Sequence, residues 1–409
     1  MKAMVVVTGV EILNGDVVNT NAAWMAEKLS ELGVDVVRHV SVGDEREDIR
    51  QALESCAGRC DMTLVTGGLG PTKDDCTTEA AALCAGVSLK EDSQAKASVD
   101  AYFKGRKVVA PASNHKQALL PEGARCLTNP VGTAPGFCLT LKGTRFWFFP
   151  GVPREMKHLM REVVLPEIGV LLSEGTRLFK ARFMTFGLPE SVVGERLSDF
   201  SSLFPNVCVG FRARFPVIEV KLWVFERELH DEWERACAEA KKRLGDYLFS
   251  DSGSSLPETL AGFLSTEGKT LAVAESCTGG LVGSLLTDVA GSSDWFLLSA
   301  VTYANSAKMG VLGVKKETLA SFGAVSEETA AEMAEGVRRA SGADIGLATS
   351  GIAGPGGGSD EKPVGTLCLG LATDQGTQTL RFVSPFKERH QNKRIFAFKA
   401  LDLLRRSML

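Results

Sequence analysis

Histidine is scarce in this chain, five in 409 residues, and only His390 lies beyond residue 250. A hydrolytic site in the last third would therefore have little histidine from which to draw a base. The ten cysteines include no C-x-x-C pair and no His/Cys cluster at zinc-ligand spacing. That excludes a zinc-ribbon reading and leaves reduced, mostly buried small hydrophobes. Long apolar runs are absent too: Met4-Val5-Val6-Val7 is broken by Thr8, Gly9 and Glu11 before a signal-peptide core or a membrane span could form. The expectation is a cytoplasmic protein with no membrane role. Neither sign of charge dominates, with 46 Lys/Arg against 50 Asp/Glu and a net charge of −4. A chain built mainly to hold nucleic acid would be more basic. There is no internal repeat and no low-complexity tract. What remains is the composition of a globular protein, 44% hydrophobic and 23% charged, long enough for about two to four domains.

Three textures follow one another along the chain. Residues 1–170 alternate apolar strand-like runs (4–8, 35–42, 62–66, 145–149) with helical patterns (21–32, 47–57, 154–164), and 166–175 reads as an exit. This is the pattern of a parallel sheet covered on both faces. Residues 176–250 read β-α-β-β-α-β, a small α+β unit of split βαβ type. Arg212, Arg214 and Lys221 could form a basic strip there. With twelve Lys/Arg against eleven Asp/Glu over 177–250, however, a solvated face is the expectation. The turn Gly187-Leu188-Pro189-Glu190 lacks the G-x-x-G clamp of RNA-binding KH modules. The polar stretch Asp251-Ser252-Gly253-Ser254-Ser255 reads as a linker, and Pro257 suits the start of a helix. A second α/β alternation fills 256–409.

In that last region Ala274-Glu275-Ser276-Cys277-Thr278-Gly279-Gly280 sits between a strand-like run and a helix-like one. A hydroxyl at a strand-to-helix turn lies beside backbone N–H groups able to receive an anion, although a plainly capped helix would look the same. With histidine scarce, lysine is the alternative base, provided burial lowers its pKa. Lys308 follows the strand end Val301-Thr302-Tyr303-Ala304-Asn305, where Tyr303 could relay a proton. A third strand ends at Ala348-Thr349-Ser350-Gly351, followed by a glycine-rich loop through Gly358. Arg389 and Arg394 could supply charge to a phosphate or carboxylate.

These motifs, with Gly291-Ser292-Ser293, Gly323-Ala324-Val325-Ser326 and Lys362-Pro363-Val364-Gly365-Thr366, occur in one order over about 150 residues and resemble the CinA C-terminal family. Members are similar to nicotinamide mononucleotide deamidases, which release ammonia from the carboxamide. The resemblance implies Ser276 as nucleophile with Lys308 and Tyr303 as its activating partners. Cys277, Thr278, Gly279, Thr349, Ser350, Gly351 and Arg389 would contact the substrate, and no cofactor is implied. The family often has serine where this chain has Ala304.

The N-terminal third carries Thr66-Gly67-Gly68-Leu69-Gly70-Pro71-Thr72-Lys73-Asp74-Asp75 after a strand-like run. Glycines let amides face a phosphate, and carboxylates can hold a divalent ion or simply cap a helix. With Asn19-Thr20-Asn21, Asn129-Pro130-Val131-Gly132-Thr133-Ala134-Pro135-Gly136 and Pro150-Gly151-Val152-Pro153-Arg154-Glu155-Met156, this loop resembles the CinA N-terminal, molybdopterin-binding-like domain. Bifunctional relatives are similar to ADP-ribose pyrophosphatases that use a divalent metal such as Co2+ or Mg2+. The resemblance implies Gly67, Gly68, Gly70, Thr72, Lys73 and Glu11 around the diphosphate, Asp74 and Asp75 as metal ligands, and a homodimer. Where the family commonly has a polar residue, this chain reads Gly9-Val10-Glu11.

The expected architecture is thus α/β: a three-layer molybdopterin-binding-like domain (1–170), a small α+β, KH-like unit (176–250) and an α/β deamidase domain (256–409). The expected function is a two-headed hydrolase of nicotinamide mononucleotide and ADP-ribose. Two alternatives stand beside it. One is a pterin- or nucleotide-binding scaffold linked to competence or the DNA damage response with one or both activities lost, without direct nucleic-acid contact. The other is an amidohydrolase with Cys277 as nucleophile and His390 as base.

Overall fold

The computed structural model describes residues 1–172, 179–224 and 229–408. By internal contacts the chain divides into two compact units: residues 1–179, and residues 180–224 together with the chain from 229 onward.

In the first unit, β1 (Lys2–Thr8), β2 (Asp35–Val42), β3 (Met62–Thr66), β4 (Leu89–Glu91), β5 (Leu119–Pro121), β6 (Arg125–Leu127), β7 (Gly136–Leu141) and β8 (Thr144–Phe149) follow in order. Six of them form a sheet in the order β2-β1-β3-β8-β7-β6. The first four are parallel; β7 and β6 add an antiparallel edge. Period-two alternation explains the layers. Met4 and Val6 join a cluster with Val65, Phe146 and Phe148, while Ala3, Val5 and Val7 join another with Leu64, Trp147 and Phe149. Each strand therefore feeds two cores, and helices must cover both faces. The helix expected at 154–164 begins at Pro153–Leu159 but continues, through a π turn at Met160–Val164, to Leu172. Of the exit expected over 166–175, residues 166–172 are therefore helix, and 173–175 lie outside the described residues. The widened π turn just before Pro166 opens the hydrogen-bond ladder where proline has no N–H to give.

The second unit opens with β9 (Phe179–Phe186), β10 (Cys208–Arg214), β11 (Val217–Val224) and β12 (Leu248–Ser250), ordered β10-β11-β9-β12. Where a solvated face rather than a basic strip was expected, Arg212 is exposed, but Arg214 and Lys221, with Arg182, surround the buried Glu219 carboxylate. The chain then forms β13 (Leu271–Glu275), β14 (Phe296–Val301), β15 (Ile345–Gly351), β16 (Thr366–Thr373) and β17 (Gly376–Val383), ordered β14-β13-β15-β16-β17. β14, β13 and β15 are parallel and the last two strands antiparallel. Leu271 and Val273 face a core that includes Leu347, Leu369 and Phe396, and also Met184, Phe186 and Phe249 of the preceding α+β segment. That segment and the C-terminal sheet thus share one apolar core. On the other face Ala272, Ala274 and Ala348 meet the helix Glu327–Ser341. A Cβ on Gly346 would lie 2.1 Å from the Ala334 carbonyl oxygen, so small residues let the helix seat directly on the sheet.

Candidate functional site

β13 ends buried at Glu275, and Ser276 leaves the sheet with its N–H donating to Thr349 O of β15 (2.9 Å). The two parallel neighbours of β13 lie on opposite sides of it, so this end is a switch point of the sheet, where α/β sites collect. The turn is completed by Gly279 (φ 61°) and Gly280 (φ 90°), in the left-handed region that L side chains resist.

Glu275 explains why the turn holds. Its carboxylate, fully buried, accepts from the N–H groups of Gly280 (2.9 Å), Val282 (3.1 Å) and Gly283 (2.8 Å), and from the Ser299 hydroxyl (3.2 Å). Those donors are spent on the carboxylate. The N–H groups of Cys277 and Thr278 have no acceptor in another described residue, and they lie directly after the Ser276 hydroxyl. Glu275→Ala would strand three donors, two of them fully buried, a cost of about 2 kcal/mol or more. Thermal denaturation is expected to show a large fall in Tm for Ala and a smaller one for Gln, which keeps an acceptor oxygen. Equal stability of the alanine variant would contradict this role.

Lys308 lies on the helix Asn305–Leu312, 1% exposed, with Nζ 3.1 Å from Ser276 Oγ, 2.9 Å from Thr302 O and 3.1 Å from Tyr303 O. Burial lowers its pKa from the usual 10.5, outweighing an opposing effect from Cys277. As placed, Nζ donates to all three oxygens; on losing a proton the amine would keep two N–H bonds for the carbonyls and offer a lone pair to the serine O–H. Desolvation disfavours the charged form, so the same burial that hides the lysine prepares it as a base.

The other expected residues are distributed unevenly. Thr278 and Thr349 share a hydroxyl contact of 2.8 Å under the turn, and a Cβ on Gly351 would lie 3.2 Å from Cys277 Sγ. The Ser350 hydroxyl donates to Ala324 O. Tyr303 reaches Lys308 through its carbonyl alone. The residue is 62% exposed and its hydroxyl accepts from Arg389 (3.1 Å), whose other nitrogen donates to Gly354 O (2.8 Å). Arg394 lies over the Phe398 ring. Cys277 is buried and its thiol pushed up to about 12, while His390 is exposed beside Glu388. Nothing in this arrangement pairs that cysteine with that histidine.

Sequence reasoning missed Glu275, Asn392 and Lys393. Asn392, fully buried, donates to Ala353 O and Phe386 O and so ties down the loop after β15. Lys393 Nζ lies 3.4 Å from where a Gly279 Cβ would stand. Both occur on the last helix, Arg389–Ser407, more than 100 residues from the serine, and only the fold brings them near.

In the first unit the glycine loop follows β3. A Cβ on Gly67 (φ 108°) would meet Thr8 O at 2.4 Å, and one on Gly68 (φ 67°) would meet Thr77 Oγ1 at 2.1 Å, so backbone packs on backbone between β3 and β1. Asp75 turns into this loop: its carboxylate accepts from the Thr72 N–H (2.9 Å) and hydroxyl, and it crowds Gly70. Lys116, unforeseen, donates to Thr72 O (3.1 Å) and Asp75 O (2.6 Å) and pairs with Glu79 (3.1 Å). Thr72, Lys73 and Asp74 are exposed, and so is Glu11, folded back against Gly9. Asp75 braces the loop through Oδ2, which leaves its Oδ1 and the exposed Asp74 carboxylate as the oxygens a divalent ion could take. A candidate metal-binding cluster lies elsewhere: His230, Asp231 and Glu234, at the start of the helix His230–Leu244, bring their ligand atoms within 4.8 Å of one another. Its signal, histidine and glutamate four residues apart on a helix, is present in the sequence and passes easily for a solvated helix face.

Comparison with known proteins decides the family. The chain is 49% identical over 413 residues to a "CinA-like protein" of Desulfosudis oleivorans, covering all of both chains. It belongs to the CinA family. A CinA-like protein of Shewanella sediminis is 41% identical over 409 residues, spanning all of this chain and 96% of its own. The family model described as "CinA C-terminal domain" matches residues 253–408, and "Probable molybdopterin binding domain" matches 4–169. Among solved structures, "the protein CinA with unknown function" from Thermoplasma acidophilum is 36% identical, covering 39% of this chain and 94% of that one with a TM-score of 0.37. In this CinA-family chain the serine turn and Lys308 fall inside the C-terminal CinA domain, and the glycine loop inside the molybdopterin-binding-like domain. No described helix is long and apolar enough to cross a membrane.

Proposed function

We propose that the C-terminal CinA domain is a serine–lysine amidohydrolase whose substrate is the carboxamide of nicotinamide mononucleotide. The observation that carries the reading is the 3.1 Å contact between Ser276 Oγ and a buried lysine amine whose pKa is lowered. Neutral Lys308 takes the serine proton as Oγ attacks the amide carbon, and the developing oxyanion falls toward the N–H groups of Cys277 and Thr278. The ammonium so formed returns the proton to the departing nitrogen, and ammonia leaves. Water then attacks the acyl-serine, Lys308 accepts its proton and returns it to Ser276 Oγ as the acyl bond breaks, and the carboxylate product departs. Arg389 and Lys393 stand at the rim as cations for the nucleotide phosphate. The test is ammonia release from nicotinamide mononucleotide by the purified protein, with and without a chelator. Chelator-insensitive release is expected, and no release from this substrate would overturn the reading.

For the N-terminal domain the engagement of Asp75 favours a binding role over metal-assisted hydrolysis. We read it as a nucleotide- or pterin-diphosphate binder whose glycine-loop amides face the phosphates. ADP-ribose is expected to bind the intact protein in the presence of a chelator. Gly68→Ala, which places a methyl against Thr77 at a positive φ, is expected to abolish that binding in calorimetric titration. Binding that requires Mg2+ or Co2+ would restore the pyrophosphatase reading.

A further inference from the structure

Beyond the glycine loop, β8 gives way to Pro150 and Gly151, and the chain enters a helix whose outer face is strongly basic. Arg154, Lys157, His158 and Arg161, with Val131 and Glu162, line a groove of about 520 Å3. That volume falls within the usual range of small-molecule pockets, about 300–1,000 Å3. No function above uses this groove.

Its electrostatics are unbalanced. Arg154, Lys157 and Arg161 recur every three or four residues, so they share one face, where like charges repel. Glu162 is the one acid in the lining. Glu155, close enough for Arg154 to act on its carboxyl, is half-buried and accepts from Asn129 Nδ2 (2.6 Å), fixing the 129–134 loop rather than facing the groove. Lys157 and Arg161 both approach the Trp24 ring, at 5.8 and 5.4 Å from its centroid. One indole thus draws both cations, which limits their freedom to swing away into solvent. The π turn Met160–Val164 carries Arg161 within this same stretch.

We propose that this groove is a binding site for a phosphomonoester of a small molecule. Three permanent cations match a dianionic phosphate better than a single carboxylate, and two are guanidinium forks that bind phosphate oxygens in pairs. Val131 supplies an apolar wall, which suits the carbon skeleton of an ester and offers nothing to a bare ion. The groove's lining includes none of Gly67, Gly68 or Gly70, while Gly151, just before its helix, packs on Gly67, so the groove is a neighbour of the diphosphate loop with its own side chains.

Calorimetric titration of the intact protein tests it, with ribose 5-phosphate, inorganic phosphate and a single-stranded oligonucleotide as three probes. Ribose 5-phosphate is expected to bind more tightly than inorganic phosphate, with affinity falling as salt rises. Arg154→Gln and Arg161→Gln are each expected to weaken it about tenfold. Arg106→Gln, whose guanidinium lies over Tyr102 outside the groove, should leave it unchanged. Far-UV circular dichroism confirms that each variant is folded. Equal or weaker binding of the ester than of inorganic phosphate would overturn the ester assignment. Insensitivity to both arginine variants would remove the site, and selective capture of the oligonucleotide would make the face a nucleic-acid contact instead. ADP-ribose binding that is lost in Gly68→Ala but unchanged in Arg161→Gln would show the two sites to be separate.

Discussion

Ser276→Ala is expected to abolish ammonia release from nicotinamide mononucleotide, a loss of about a thousandfold or more, whereas Cys277→Ala keeps turnover within about tenfold of the parent. The contrast follows from the surroundings of two adjacent residues. Ser276 Oγ lies 3.1 Å from the Lys308 amine, while the Cys277 thiol is buried and pushed up to about 12. At neutral pH almost none of that thiol is thiolate, and the thiolate is the attacking species. Its sulfur packs against Gly351, so truncation disturbs packing more than chemistry. Ammonia assays on the two variants, with circular dichroism to confirm folding, give the answer. An inactive Cys277→Ala beside an active Ser276→Ala would move the nucleophile one residue along. Inactivity of both, with both folded, would mean that the turn itself and not its hydroxyl had been measured.

How much of the molecule is legible in its sequence differs between backbone and side chains. The strand-helix alternation is readable because the central strands are apolar throughout, and the Ser276 turn because two glycines and a hydroxyl mark a strand end. The shared core of the α+β segment and the C-terminal sheet is not, since Asp251-Ser252-Gly253-Ser254-Ser255 has a linker's composition while Phe186 and Phe249 on its N-terminal side pack into one core with residues of the helix Arg389–Ser407. Composition reports solvent preference along the chain and says nothing of which apolar faces meet. The same limit applies to Asp75. A pair of acids after a glycine loop reads equally as metal ligands or as a loop brace, and only the Thr72 contacts show that Asp75 braces. Tyr303 illustrates a third kind of miss. Its place beside Lys308 in the chain holds in the fold, yet the carbonyl rather than the phenol meets the amine, and the phenol turns to Arg389. Glu275 stands in the motif with no task that sequence can assign, because a carboxylate that caps three amides cannot be told from a reactive one without geometry.

Lys308→Met is expected to eliminate turnover as completely as loss of the serine while changing how stability responds to pH. In the folded protein burial lowers the lysine pKa, and in the unfolded chain it returns to about 10.5. Below the folded pKa both states carry the proton, and the full cost of burying an ammonium is present. Between the two values the unfolded state binds the extra proton. The stability that this proton contributes to the unfolded chain fades as pH rises, so the parent gains about 1.4 kcal/mol for each pH unit separating the folded from the unfolded pKa. The methionine variant has no such group. Denaturant midpoints of parent and variant should therefore change in the parent's favour from the folded pKa up to about 10.5 and run parallel above it. The parent's kcat/KM should rise with pH through the same folded pKa, because the neutral amine is the base. A rate that falls with rising pH across this range would make the ammonium the working form, reducing Lys308 from base to electrostatic support for Ser276. Stability curves that stay parallel at every pH would show that the lysine does not bury its charge at all.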